Sequence, residues 1–167
     1  CFLAMADITW ITERLAVGGG IWTRENLDAI IRHGITHIIN TQIEFDDRTL
    51  LAPGDLTAPD WVEEMQGNNH LRILHLPMDD DFQPKPPELL RRGVQFALEA
   101  LAQPETKVLV HCASGVHRGP LLVLAILRAL GLGQEEALRL IWAHRPQADF
   151  PAPYLDSVEE FLATWNT

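Results

Sequence analysis

His111-Cys112-Ala113-Ser114-Gly115-Val116-His117-Arg118 sets a cysteine and an arginine with five residues between them. A thiolate is a strong nucleophile, and a guanidinium is a planar fork of donors that matches two oxygens of a bound oxyanion. The pair therefore predicts attack on an anionic group, with Cys112 as nucleophile and Arg118 as the anion's side-chain ligand. At average residue usage, His before a cysteine, Gly three after it and Arg six after it coincide on the order of once in ten thousand times.

The flanking residues say where this loop must sit. Val108-Leu109-Val110 reads as a buried strand, and the apolar run from Leu121 to Leu127 as a helix. The loop then stands at a helix N-terminus. There the N–H groups of Ala113, Ser114, Gly115, Val116, His117 and Arg118 converge on one anion, with the positive end of the helix dipole behind them. Gly115 permits the tight curvature of such a ring, and the same field favours the charged form of the Cys112 sulfur. Ahead of the loop, Leu76-Pro77-Met78-Asp79-Asp80-Asp81 offers three candidates for a general acid. Adjacent carboxylates repel one another's charge, which moves them toward the protonated form an acid needs.

The Cys112 segment resembles the signature of the cysteine-dependent protein tyrosine phosphatases, and most of the chain looks like their compact dual-specificity branch. Residues 8 to 19 resemble its opening strands, and Asn26 to Asn40 its first helix and second strand. Gly131 to Leu138, followed by His144-Arg145-Pro146, resembles the helix pair after the signature. The resemblance implies one α/β domain: a central, mostly parallel sheet of about five strands flanked by helices. It implies phosphomonoester hydrolysis of the dual-specificity protein phosphatase type, through a phosphocysteine, with no metal or cofactor. The acid of this family stands three residues after its loop's proline-like position, which selects Asp80, with Asp79 and Asp81 as alternatives. His111 would order the loop and His117 face its rim.

Two departures from the family's pattern carry consequences. Gly119 stands where the family usually has Ser or Thr, whose hydroxyl stabilises the departing sulfur, so hydrolysis of the intermediate should be slow; Ser114 is a partial substitute. Val116 stands where inositide phosphatases often have lysine, which favours a singly phosphorylated substrate. That substrate is a phosphorylated protein or a small phosphoester. Three further readings stay open: a rhodanese-type sulfurtransferase, a phosphatase of inositol or nucleotide phosphates, and a catalytically idle phosphopeptide-binding domain, which the retention of Cys112, Arg118 and an acid disfavours.

Composition bounds the rest. The chain has 167 residues, a net charge of −10 and 47% hydrophobic residues, which suits one domain over residues 8–167 with residues 1–7 as a separate N-terminal segment. The charge disfavours nucleic acid as a partner, and the apolar runs are too short to span a membrane. No signal peptide is read, so the cytoplasm is expected. With only Cys1 and Cys112, neither a disulfide framework nor a paired-cysteine zinc site is available.

Periodicity predicts strands at 8–11, 14–18, 35–40, 71–76 and 107–111, and helices near 24–33, 88–102, 119–130, 134–144 and 153–165. Thr23 is the expected N-cap of the first helix, Pro87 a first-turn residue, and Gly34 and Gly131 helix terminators. Residues 41–69, rich in Pro, Gly and Asp, are the least determined; a short helix over 60–66 and a recognition loop beside the site are the expectations there.

Overall fold

All four residues of strand β6 (Val108–His111) are buried, as a strand covered on both faces must be. It lies third in a six-stranded sheet, between β2 (Leu15–Gly18) and β3 (His37–Asn40), and runs parallel to both. Beyond β3 come β5 (Asn69–His75), parallel to it, and β4 (Trp61–Gln66), antiparallel at the edge. The antiparallel β1 (Ile8–Trp10) closes the other edge. The computed structural model describes residues 6–51, 61–66 and 69–165.

Side chains along these strands alternate between two cores, as the two-residue period of a strand requires. Ala16, Ile38, Leu109, Ile73 and Leu71 face α1 (Arg24–Arg32), which packs Leu27 and Ile30 on them. Val17, Ile39, Val108, Val110 and Leu74 face the opposite layer of α2 (Pro87–Leu101), α3 (Arg118–Ala129), α4 (Gln134–His144) and α5 (Ala152–Trp165). Helix α3 is buried from Arg118 through Leu127. It runs through the middle of its layer, which is why its sequence is apolar all round rather than striped. Thr23 accepts the Asn26 N–H as N-cap, Pro87 opens α2, and Gly34 and Gly131 take φ of 87° and 108° after their helices. None of the described helices is long and apolar enough to cross a membrane.

The mostly parallel sheet is as expected, but residues 61–66 form a sixth strand and not a helix. Trp61, Val62 and Met65 carry a helix-like spacing, yet β5 has an open edge of backbone donors and acceptors, and pairing from Trp61↔Leu74 to Gln66↔Asn69 satisfies it. Gly67-Asn68, a two-residue hairpin link in the sequence, was the available signal.

His37 at the start of β3 gives stability a pH dependence. It is 8% exposed, hydrogen-bonded to Thr36 Oγ1 at 2.8 Å and set edge-on to Phe96. Burial, and after it the Arg72 charge, push its pKa from 6.5 to about 4. Between these values the unfolded chain binds a proton that the folded chain refuses. Stability therefore rises with pH through this window and is lost as pH falls, by roughly 3 kcal/mol in total. Urea unfolding at pH 7 and pH 4.5 should show this loss in the wild type and a smaller one in His37→Gln; an equal loss in both would assign it elsewhere.

Candidate active site

Strands β2, β6 and β3 end level with one another, Gly18 and Asn40 each opposite His111. The three segments that leave them therefore meet in one crevice at the carboxyl edge of the sheet, the usual ligand position in an open α/β sheet. Cys112 is the first residue out of β6 and lies at the bottom, 1% exposed. Its sulfur accepts the Gly115 N–H at 3.2 Å.

Four successive carbonyls of the loop are tied to its outside. Ala113 O accepts from Gly20 N at 2.8 Å, Ser114 O from Arg145 Nη2 at 3.2 Å, Gly115 O from Arg145 Nε at 2.8 Å, and Val116 O from Asp149 N at 2.8 Å. A carbonyl and the next residue's N–H lie in one planar peptide and point in opposite directions. With those oxygens drawn outward, the N–H groups of Ser114, Gly115, Val116 and His117 point to the inner side of the loop, and that of Gly115 reaches the sulfur. Arg145, 2% exposed, is fixed from behind by Asp7, Nη1 to Oδ1 and Nη2 to Oδ2 both at 2.9 Å, and by Thr9 Oγ1 at 2.8 Å. Its hydrogen bonds hold the Asp7 carboxyl below the usual range against the opposing effect of burial. Gly115 has φ 70°, and a Cβ there would stand 2.2 Å from Arg145 Nη2, so both backbone and space require glycine.

Arg118 opens α3 and is 4% exposed. Glu44 takes Nη1 at 2.7 Å and Nη2 at 2.9 Å, and Met78 O takes Nη1 at 3.1 Å. Of the five guanidinium hydrogens, these bonds use both on Nη1 and one on Nη2. The Nε hydrogen, buried without a partner, and the second one on Nη2 form a free fork along one edge. Burial opposes the Arg118 charge, but Glu44, Cys112 and Asp80 outweigh it and raise its pKa. Glu44 is in turn held below the usual carboxylate range, chiefly by its hydrogen bonds to Arg118.

Behind the sulfur, His111 Nε2 lies 2.5 Å from Asp47 Oδ2, with both side chains fully buried. Thr41 binds the His111 carbonyl through N at 2.9 Å and Oγ1 at 2.8 Å. Asp47 begins a short 3-10 helix, Asp47–Leu50, so the segment after β3 braces the residue before the cysteine.

The acidic triplet divides by environment. Asp80 turns to the loop, its Oδ2 3.0 Å from His117 Nδ1 and its Oδ1 accepting the Tyr154 hydroxyl at 2.9 Å. Burial first, and then the Asp80 carboxylate, push the Tyr154 pKa upward, so the phenol remains a donor. Asp81 turns away to Lys85 Nζ at 2.6 Å, and that hydrogen bond lowers its pKa. The expected mutual raising of the three carboxyls is therefore corrected at Asp81, where a nearby ammonium outweighs repulsion. Asp79 presents its carbonyl to Tyr154 at 3.4 Å.

Residues 20–163 match the catalytic domain of the dual specificity phosphatases. This chain belongs to that family. The tyrosine-protein phosphatase vhp-1 of Caenorhabditis elegans is 29% identical over 117 residues, which is 65% of this chain and 17% of that protein. Human tyrosine phosphatase-like serine/threonine/tyrosine-interacting protein superposes with a TM-score of 0.72 at 20% identity, covering 98% of this chain and 100% of the other. PTPMT1 in complex with PI(5)P gives 0.69 at 21% identity over 90% and 91%. At these identities the two structures establish the fold.

Against the family's pattern, the place of Gly119 is informative. A Cβ there would lie 3.6 Å from Cys112 Sγ and 3.1 Å from Val17 Cγ2, so a serine hydroxyl would reach the sulfur and glycine presents none. Ser114 is exposed and contributes its carbonyl to Arg145. Sequence reasoning brought Cys112, Arg118 and Asp80 to one crevice but missed Glu44, Asp47, Tyr154 and the grip of Arg145. Of the segment 41–69, where a recognition loop was expected, Glu44 and Asp47 lie against Arg118 and His111, and residues 52–60, 67 and 68 lie outside the described residues.

Proposed function

We propose that the domain hydrolyses phosphomonoesters through a phosphocysteine, with phosphorylated protein side chains as substrates. The ring of inward N–H groups over the Cys112 sulfur, closed by the free fork of Arg118, carries this reading: together they match the three equatorial oxygens of a phosphoryl group and the nucleophile beneath it. In the first step the sulfur forms a bond to phosphorus as the P–O bond breaks, and Asp80 gives its proton to the departing oxygen. In the second, water attacks phosphorus, Asp80 takes its proton, and the sulfur leaves. Ser114, Gly115, Val116, His117 and Arg118 hold the oxygens throughout; the Ala113 N–H stands at the loop's entry. Glu44 and Asp47 act by holding Arg118 and His111.

A half-buried Val116 in place of a cation, and a mouth flanked by Asp80 and Asp149, favour one phosphate on an otherwise non-anionic carrier. The reading is tested with an aryl phosphate. Wild type should turn over, bind vanadate competitively and yield a phosphocysteine on acid quench, and Cys112→Ser should do none of the first or last. A panel of phosphotyrosine and phosphothreonine peptides and a singly phosphorylated inositide then separates carriers. Cyanide-dependent thiosulfate cleavage without phosphatase turnover would replace this reading with sulfur transfer.

A further inference from the structure

At the mouth of the loop one imidazole stands between two carboxylates. His117 is the N-cap of α3, its side chain 18% exposed. Nδ1 lies 3.0 Å from Asp80 Oδ2, and Nε2 lies 2.9 Å from Asp149 Oδ2. The partners come from separate segments: Asp80 precedes α2, and Asp149 follows α4 and is anchored to the loop by its own N–H on Val116 O. Phe82 covers the ring edge-on at 4.8 Å between centroids, holding a left-handed φ of 59° to do so. The acidic segment is thus fastened to the phosphate loop through this side chain and, on the other oxygen of Asp80, through Tyr154.

The proton count singles out this arrangement. A neutral imidazole has one N–H and a carboxylate has no donor. Hydrogen bonds at both ring nitrogens therefore need one proton more than a neutral ring and two carboxylates possess. The other charged groups nearby are Asp79, Asp81 with its partner Lys85 Nζ at 2.6 Å, and the Arg118 guanidinium, taken on one edge by Glu44.

We propose that His117 is a positioning residue for proton transfer: it holds Asp80 over the sulfur and shares the proton that Asp80 delivers, while Asp149 fixes the far side of the ring. When the P–O bond breaks, its electron pair goes to the leaving oxygen, which takes one proton from Asp80, so the trio is left one proton short. The attacking water returns that proton through Asp80 in the second step. This role rests on Asp80 being the acid, as inferred above.

Leaving-group dependence tests it. Phenyl phosphate needs a protonated leaving oxygen and 4-nitrophenyl phosphate scarcely does, so the ratio of their kcat/KM values reports proton delivery and not loop integrity. Asp80→Ala should lower the phenyl-to-nitrophenyl ratio on the order of a hundredfold, and His117→Phe, which keeps a ring against Phe82 and removes both nitrogens, about tenfold. Asp149→Asn, at a residue 66% exposed and so harmless to folding, should lower it less but in the same direction. The double variant His117→Phe/Asp80→Ala should match Asp80→Ala alone, since a residue acting through another adds nothing once that one is gone. A wild-type ratio in His117→Phe, or in Asp149→Asn should the former not fold, overturns the role of His117 while leaving Asp80 as the acid. An unchanged ratio in Asp80→Ala overturns both. Additive losses in the double variant would also reject the coupling.

Discussion

Arg145→Met should lower kcat/KM for an aryl phosphate by about two to three orders of magnitude, the loss seen when an aligned anion-binding donor is removed. Arg145 lies outside the loop. Its guanidinium holds the carbonyls of Ser114 and Gly115 outward, so the N–H groups of Gly115 and Val116 point to the inner side, where the proposed phosphate would sit. Methionine fills much of the volume and frees both carbonyls to rotate. The substitution also strips Asp7 and Thr9 of their donor, so thermal unfolding should begin earlier. Two measurements separate these effects: steady-state kinetics well below the melting transition, and vanadate affinity at the same temperature, which should fall in parallel with kcat/KM. Wild-type kinetics in a correctly folded Arg145→Met would mean that the loop holds its ring without help.

Gly119→Ser should change the second step without the first. In the wild type nothing at position 119 donates to the sulfur as it leaves phosphorus, so stopped-flow mixing with saturating 4-nitrophenyl phosphate should give a burst of nitrophenolate followed by slow turnover. A serine Cβ stands 3.6 Å from Sγ once Val17 yields a few tenths of an ångström, and its hydroxyl then supplies a hydrogen bond to a charged acceptor. Such a bond is worth about 1.5–3 kcal/mol, or about tenfold or more in the rate of phosphoenzyme hydrolysis. The burst should shrink and kcat rise, with kcat/KM nearly unchanged because it reports the first step. Gly119→Ala supplies the same crowding without the hydroxyl and should give no gain. A wild type with no burst would place the slow step before the phosphoenzyme.

Both effects depend on residues that read very differently in the sequence. Gly119 adjoins Arg118, and its meaning follows from local spacing in the signature. Arg145 sits in a surface-like run, His144-Arg145-Pro146, and nothing local distinguishes a solvated arginine from one that is 2% exposed. Asp80 shows the intermediate case: the family resemblance selected it from three adjacent carboxylates, while the contacts of Asp80 with His117 and Tyr154, and the diversion of Asp81 to Lys85, which set the three apart, are tertiary. The strand at residues 61–66 was misread because six residues of mixed pattern fit a helix or a strand, and an unpaired sheet edge decides between them.

The mostly parallel plan of the sheet came with the family resemblance; the residues by themselves determined the order of the elements other than the strand at 61–66, and a cysteine and an arginine across a strand-to-helix turn. These follow from interactions within a few residues: apolar periodicity, helix caps and the donors at one helix N-terminus. Tertiary structure alone decided what keeps that turn in shape and what surrounds its charges, because the partners arrive from Asp7, Gly20, Glu44, Asp47, Asp149 and Tyr154, remote in the chain and level in space. A hydrogen bond between distant residues leaves no periodic trace in either one's neighbourhood, and it exists only once the sheet has brought the ends of β2, β6 and β3 together.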